Sequence, residues 1–171
     1  MAFARRSHRP LTEEEKSSDL AKARSRALDV LSSQEISSAQ LYERLCRKFT
    51  EPTAAEVVAE MVERQYLDDE RYAEVRARGL LAARKSRRAA AQNLRQKGLT
   101  KNQIDQALEQ VYTPDEEGED PELEAAAALV ESRYRSKLAA GRRDLEVAAL
   151  MRRGFAYPVI KEAVRRAEEQ E

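Results

Sequence analysis

A leucine-centred pattern recurs three times along this chain of 171 residues. Each copy has a leucine, two further residues, a basic residue and then a break in the helical pattern. The copies are Leu45-Cys46-Arg47-Lys48-Phe49, Leu94-Arg95-Gln96-Lys97-Gly98 and Leu150-Met151-Arg152-Arg153-Gly154. Gly154 lies about 56 positions after Gly98, and Phe49 lies about 49 positions before Gly98. Each repeat therefore has room for roughly three helices. One such unit buries little apolar surface alone, which predicts stacked units with a shared core.

The composition predicts a folded, helical protein. Apolar residues make up 42% of the chain, which is enough to bury a core. Five glycines, five prolines and few consecutive β-branched residues argue against sheet structure. We therefore predict an all-α fold in which three tandem three-helix repeats form an elongated, curved molecule.

Five segments are expected along the chain. Residues 1–18 are charged and poor in apolar side chains, so we predict a flexible N-terminal arm. Repeat 1 is expected over 19–66 and repeat 2 over 67–112. Residues 113–120 are acidic, contain turn residues and lack apolar side chains, which predicts an exposed linker. Repeat 3 is expected over 121–171.

Local signals place several helix ends. Asp68 is a suitable N-cap, Pro121 suits a first helical turn, and Gly98 and Gly154 are typical residues after a helix end. Three pairs have the spacing of a capping box, namely Ser37 with Gln40, Thr53 with Glu56 and Thr100 with Gln103.

The third repeat keeps the register of the second. A shift of about 56 residues aligns three core positions, pairing Ile160 with Ile104, Ala163 with Ala107 and Val164 with Leu108. The apolar stripe of the second helix in repeat 3 is assigned to Leu145, Ala149 and Leu150. These positions predict that the two repeats have equivalent cores.

Charge is unevenly distributed although the net charge is zero. Every charged residue from Arg84 to Lys101 is basic, and every one from Asp115 to Glu124 is acidic. Basic residues cluster at two helix joints about one repeat apart, which indicates binding to an acidic filament or a polyanion. The candidate binding residues are Arg84, Lys85, Arg87, Arg88, Arg95 and Lys97 in repeat 2, and Arg133, Arg135, Lys137, Arg142, Arg143, Arg152 and Arg153 in repeat 3.

Salt dependence favours a protein partner over naked DNA. If five of these side chains neutralised phosphates, raising salt from about 50 to about 200 mM would weaken DNA binding roughly 10^2.7-fold. A partner that also offers apolar contacts loses less of its affinity to salt.

The sequence gives little support for chemistry at a site. Asp68 and Asp69 could form a carboxylate pair, but a helix start is a position where acids stabilise exposed N–H groups. Cys46 is expected to pack as a small side chain and, as the single cysteine, excludes an internal disulfide framework. The chain has no glycine-rich phosphate loop, paired-cysteine metal motif or serine–histidine arrangement. We therefore expect neither an enzyme nor a bound cofactor.

The first thirty residues contain no apolar run resembling a signal peptide. No stretch approaches the roughly 20 uninterrupted apolar residues that a membrane span requires. A cytoplasmic location is therefore expected.

Three segments carry a family resemblance: Tyr66-Leu67-Asp68-Asp69-Glu70-Arg71-Tyr72-Ala73, Leu94-Arg95-Gln96-Lys97-Gly98-Leu99 and Ile104-Asp105-Gln106-Ala107-Leu108. Together they resemble the RecX family of bacterial RecA regulators, with likeness extending over about 19–168. Two positions depart from the family pattern. Phe49 stands where a glycine would close a helix, and Ala83-Arg84-Lys85 replaces a glycine before the central basic pair.

The resemblance implies a protein that binds the RecA nucleoprotein filament along its groove, across neighbouring protomers. It implies inhibition of ATP hydrolysis, strand exchange and coprotease activity, and hence a role in DNA repair, recombination and the SOS response. Single- or double-stranded DNA is a further partner that the resemblance allows, and a monomer is expected.

Two alternative functions remain open at this point. The basic joints could bind DNA directly, in which case charge reversal would lower the salt dependence of DNA binding without RecA. The stacked helices could instead form a scaffold for another acidic protein, and neither RecA inhibition nor DNA binding would then depend on these residues.

Overall fold

The computed structural model describes residues 9–114, 116, 118–134 and 141–169. It divides into two compact units, Met1–Asp68 and Asp69–Glu171. Within the described ranges the regular structure comprises nine α-helices, with a short 3-10 turn and one π-helical turn, and extended pairing is limited to a single bridge. The predicted all-α fold is therefore confirmed. None of the described helices is both long and apolar enough to cross a membrane.

Where the structure describes it, the first unit contains three α-helices, α1 (Leu20–Ser33), α2 (Ser38–Leu45) and α3 (Glu51–Glu63). Leu41 and Leu45 are one helical turn apart on α2, and Val57 and Met61 are one turn apart on α3. This spacing places each pair on one face, and all four side chains are fully buried in one core.

The start of α2 has the predicted capping box. The Ser37 hydroxyl accepts a hydrogen bond from the Gln40 N–H at 3.2 Å, and the Ser37 N–H donates to the Gln40 side chain at 3.3 Å. Two backbone donors that the helix itself cannot satisfy are thus paired. Thr100 and Gln103 form the equivalent capping box in the second unit.

The predicted capping box at Thr53 is wrong. Helix α3 begins at Glu51, because Pro52 fits the first turn of a helix, where a missing N–H has no consequence. Thr53 is therefore already inside the helix, buried, with its hydroxyl 2.8 Å from that of Thr50. Thr50 is the N-cap residue but provides no side-chain cap.

An N-terminal strap, defined as residues 9–17, lies against the first unit. The Ser17 N–H donates to the Lys48 carbonyl and the Thr50 N–H donates to the Ser17 carbonyl, each at 3.0 Å. The Glu13 carboxylate accepts from the Glu51 N–H at 2.8 Å and so supplies the cap that Thr50 lacks. A hydrogen bond from the Lys16 side chain is the main reason that the pKa of Glu13 lies below its ordinary value, and the bond from the Glu51 N–H is the second.

These contacts differ from the flexible arm expected over 1–18. Two main-chain hydrogen bonds and one carboxylate cap fix the second half of that segment on the turn after α2 and on the start of α3, which local composition does not reveal. Residues 1–8 of the expected arm lie outside the described residues.

The described part of the second unit contains six α-helices. They are α4 (Asp69–Ala82), α5 (Arg87–Gln96), α6 (Lys101–Tyr112), α7 (Pro121–Leu129), α8 (Arg143–Arg152) and α9 (Tyr157–Glu168). A π-helical turn, Val130–Tyr134, follows α7 directly. One buried cluster lies among α4–α6 and another among α7–α9, and Leu81 packs against both. The helices therefore group in threes, as the repeat pattern predicts.

The shared register of the two repeats is confirmed. Ile104, Ala107 and Leu108 are buried in α6, and their counterparts Ile160, Ala163 and Val164 are buried in α9. Gly98 and Gly154 follow α5 and α8 with φ values of 78° and 90°, a region that favours glycine. Asp120 caps α7 through bonds to the Glu122 and Leu123 N–H groups at 2.9 and 3.3 Å.

The assignment of Leu145 to the apolar stripe of α8 is wrong. Leu145 is 38% exposed, whereas the next residue, Glu146, is fully buried. Residues 146, 149 and 150 share one helical face, and the burial of Ala149 and Leu150 therefore brings position 146 inward as well.

Candidate partner-binding surface

The predicted basic residues that the structure describes all lie in the second unit, and some of them are engaged within the fold. Arg84, at φ 55°, donates from Nη1 to the Ala128 carbonyl at 3.0 Å and to the Ser132 hydroxyl at 2.7 Å. These bonds tie the loop after α4 to the end of α7. Arg84 therefore joins repeats 2 and 3 through its guanidinium.

Arg87 is also engaged within the fold. Its backbone N–H donates to Glu122 Oε1 at 2.9 Å, and its guanidinium lies 3.1 Å from the Glu109 carboxylate. The first bond caps α5 with a carboxylate from α7. The positive charge of Arg87 is thus partly neutralised before any partner approaches.

Two arginines of repeat 3 have similar internal roles. Arg153 donates from Nε to the Tyr134 hydroxyl at 3.1 Å, and its carbonyl accepts from the Ser86 hydroxyl at 2.9 Å. Arg143 on α8 pairs with Glu168 on α9 at 3.1 Å. Both arginines stabilise contacts between elements of the second unit.

The α5 face, defined as Arg88, Ala91, Gln92, Arg95 and Gln96, has a different character. These residues line an open depression of about 600 Å³. Arg88 and Arg95 are exposed, two helical turns apart, and neither has a hydrogen-bond or carboxylate partner among the described residues. Ala90 and Leu94, on the opposite side of α5, are fully buried. The well-packed α5 helix therefore presents two guanidinium groups that are unpaired within the described ranges.

The remaining candidates are more scattered. Lys85, Arg133, Arg142 and Arg152 are exposed and their side chains likewise have no partner within the described ranges, whereas Lys97 is half-buried. Arg135 and Lys137 lie outside the described residues. The structure thus brings Arg88 and Arg95 together around one depression but does not unite all the predicted residues in one site.

The α5 face lies in a segment that this chain shares with known proteins. Residues 68–108 match the second three-helix domain of RecX, a range that includes all of α5. Regulatory protein RecX of Halorhodospira halophila (strain DSM 244 / SL1) is 30% identical over 151 residues, which cover 86% of this chain and 89% of that protein. The chain belongs to the RecX family.

Two solved structures are similar to this RecX-family chain. The crystal structure of RecX from Lactobacillus salivarius matches with a TM-score of 0.76 and 21% identity, covering 87% of this chain and 96% of that one. A second crystal structure, of a regulatory protein RecX, matches with a TM-score of 0.72 and 28% identity, covering 84% and 71%. The RecX resemblance inferred from the sequence motifs is confirmed.

Residues that position the α5 face in this RecX-family chain were not identified from the sequence. Ser86 is fully buried, accepts from the Ala89 N–H at 3.1 Å and donates to Arg153. Tyr112 is buried and donates from its hydroxyl to the Lys85 carbonyl at 3.0 Å, and its burial raises the pKa of that hydroxyl. A serine just before a helix is a recognisable N-cap signal, whereas nothing local indicates the partner of Tyr112.

Glu122 gives this joint a pH dependence that can be tested. Burial raises the pKa of its carboxyl above the ordinary value of 4.5, although the Arg87 N–H opposes that shift. The folded state therefore binds the proton more tightly than the unfolded state, and stability falls as pH rises through the raised pKa. We expect Glu122→Gln, which keeps an acceptor oxygen, to gain stability relative to the wild type as pH rises from 4.5 through the raised pKa.

Urea denaturation followed by circular dichroism across this pH range measures the difference. Glu109→Gln is the matched control because it removes the other carboxylate beside Arg87 from an exposed side chain. A difference between Glu122→Gln and the wild type that stays constant with pH would contradict the expected role of burial.

Proposed function

We propose that this RecX-family chain regulates RecA by binding its nucleoprotein filament through the α5 face. The proposed outcome is inhibition of ATP hydrolysis, strand exchange and coprotease activity, exerted by a cytoplasmic monomer without catalysis of its own. The observation that supports the proposal most strongly is a pair of exposed arginines on α5 that have no partner among the described residues and lie within the segment that matches RecX.

Electrostatics explains why this pair suits a regulator. Arg87 and Arg143 already have carboxylate partners, so their charges contribute less to attraction at a distance. Arg88 and Arg95 keep their full charge on a rigid helix, which accelerates encounter with an acidic surface and fixes the orientation of binding. A preformed surface also loses little conformational entropy on association.

Direct DNA binding is the second candidate function. The exposed Arg133, Arg142 and Arg152 of repeat 3 favour it, since each is available to a phosphate. Against it, α5 contains no aromatic side chain on which a base could stack. Affinity for DNA would then rest on phosphate contacts alone and would decline steeply with salt.

Charge reversal at the α5 face tests the proposed function. We expect Arg88→Glu with Arg95→Glu to raise the concentration for half-inhibition of RecA ATPase on single-stranded DNA by about tenfold or more, since each change replaces attraction by repulsion. Helical content should stay the same because neither side chain has a described partner. The matched control is Arg26→Glu with Lys161→Glu, which makes the same charge change at two other exposed residues.

Binding measurements distinguish the two candidates. Labelled protein is titrated with RecA on single-stranded DNA in the presence of a nonhydrolysable nucleotide, and separately with the DNA alone, at about 150 mM salt. Binding to the filament only, lost in the α5 variant and kept in the control, is the expected result. Equal binding to bare DNA, or inhibition that survives the α5 substitutions, would count against the proposal.

A further inference from the structure

The sequences of the second helices of the three repeats can be aligned on the leucine that they share. Leu45, Leu94 and Leu150 are each buried near the end of α2, α5 and α8. Four residues earlier, Leu41, Ala90 and Glu146 are all fully buried as well. Ser37 and Ser86, both fully buried, cap α2 and α5 in the same way. The outward faces of α2 and α5 are therefore equivalent surfaces.

The strap lies beside this surface in repeat 1. The α2 counterparts of Gln92, Arg95 and Gln96 are Glu43, Cys46 and Arg47. Together with Lys48 they form one side of a cavity of about 760 Å³, and the other side consists of Arg9, Pro10, Leu11 and Lys16 of the strap. On α5 the residues of the second helix alone line the equivalent depression. In repeat 1 a polypeptide segment thus borders the surface that, in repeat 2, is lined by residues of the second helix alone.

The charges of the two surfaces indicate what kind of segment each one accepts. The α2 surface carries Glu43 as well as Arg47, and the strap beside it carries both glutamates and cations. The α5 face has no acidic residue, and arginines replace Ala39 and Cys46 of α2 at positions 88 and 95. Its complement is therefore a segment with acidic side chains.

We propose that the α5 face binds an extended acidic segment of a partner protein, in the place that the strap takes on α2. The inference rests on the proposed function in treating the α5 face as a partner-binding surface, and it names the chemistry of the bound segment. The strap has extended backbone on either side of its 3-10 turn, Glu13–Glu15: Thr12 has φ −72° and ψ 161°, and Lys16 has φ −82° and ψ 150°, both close to polyproline II.

Helix geometry gives the spacing of the acids. Arg88 and Arg95 are seven residues apart, which corresponds to about 10.5 Å along the helix. Three residues of polyproline II span about 9.3 Å and return to the same side of the chain. Carboxylates three residues apart on the partner therefore match the two guanidinium groups.

One feature of strap binding is not reproduced in repeat 2. The Thr50 N–H bonds to the strap, whereas the Thr100 N–H at the equivalent helix start already donates to Gln103 at 2.9 Å. Backbone pairing with a partner is therefore weaker at this joint. Recognition on α5 depends mainly on charge-assisted bonds between arginines and carboxylates.

The experiment uses full-length protein and a fluorescein-labelled decapeptide in which glutamates recur at every third residue among prolines and alanines. Its control peptide carries glutamines in place of the glutamates. Fluorescence anisotropy at about 150 mM salt is expected to show that the acidic peptide binds the wild-type protein. The Arg88→Glu, Arg95→Glu protein should bind this peptide more weakly, by about tenfold or more. The Arg26→Glu, Lys161→Glu protein should bind like the wild type. Equal binding of both peptides, or binding unaffected by the α5 substitutions, would overturn the proposal.

Two further results separate this inference from the proposed function. Both the inference and the proposed function are supported if a single-stranded oligonucleotide does not displace the bound acidic peptide and the peptide competes with filament binding. If filament binding depends on Arg88 and Arg95 but the acidic peptide fails to bind, the segment proposal is overturned while the proposed function stands. If the peptide binds at the α5 face but RecA filaments do not bind the protein, the surface is assigned correctly and the RecA proposal fails.

Discussion

Replacing Leu150 by alanine is expected to lower the free energy of unfolding of the second unit by about 3 kcal/mol. Leu150 is fully buried in the core among α7, α8 and α9, where it packs with Leu129, Ile160 and Val164. Truncation removes apolar contacts and leaves a cavity that the helices fill only partly. Hydrogen exchange of the α9 amides measures the loss where it occurs.

The adjacent residue provides the control. Met151 is on the same helix and is also apolar, but it is 54% exposed. Met151→Ala should change the free energy of unfolding by no more than about 0.5 kcal/mol. Comparable losses for the two substitutions would contradict the register of α8, since that register points one side chain inward and its neighbour outward.

The starts and ends of the helices were the part of the fold most readily predicted from sequence. The capping boxes at Ser37 and Thr100 and the glycines after α5 and α8 depend on backbone groups within a few residues, so their signals are local. Thr53 shows the limit of that approach. The capping-box spacing of Thr53 with Glu56 competed with Pro52, one position earlier, and the proline determined where α3 begins.

Burial along α8 could not be predicted from apolar character alone. Leu145 appears suited to the core and Glu146 does not, yet the reverse is observed. The residues that share a face with Ala149 and Leu150 are fixed by helix geometry, whatever their chemistry. Tertiary packing therefore overrides side-chain preference at this position.

The binding surface was predicted as a pool of basic residues, and the structure shows which of them are already engaged. Arg84 bonds to residues 44 and 48 positions away, and the Arg87 N–H bonds to one 35 positions away. The strap likewise connects Glu13 to Glu51, 38 positions apart. Contacts between residues this distant depend on how the helices pack. Sequence alone therefore identified the charges but not the subset that is exposed and without a partner in the described part of the chain.

Gly154→Ala is expected to destabilise the second unit by about 2–3 kcal/mol, for two separable reasons. Gly154 has φ 90°, which an alanine adopts only at a steric cost of about 1–2 kcal/mol. An added Cβ would also lie 2.8 Å from the Ser86 hydroxyl and displace it from its bond to Arg153. Gly118→Ala isolates the first cost, because Gly118 has φ 81° and open space around the added Cβ.

A double-mutant cycle with Ser86→Ala isolates the second cost. Without the hydroxyl, the next neighbours of the added Cβ are 3.6 and 3.7 Å away, which is ordinary contact distance. Gly154→Ala should therefore cost about 1 kcal/mol less in the Ser86→Ala background than in the wild type, as measured by urea denaturation. Additive effects would show that the two residues do not share this contact. Because Ser86 caps α5, coupling of the expected size would mean that the end of α8 helps to hold the α5 face in position.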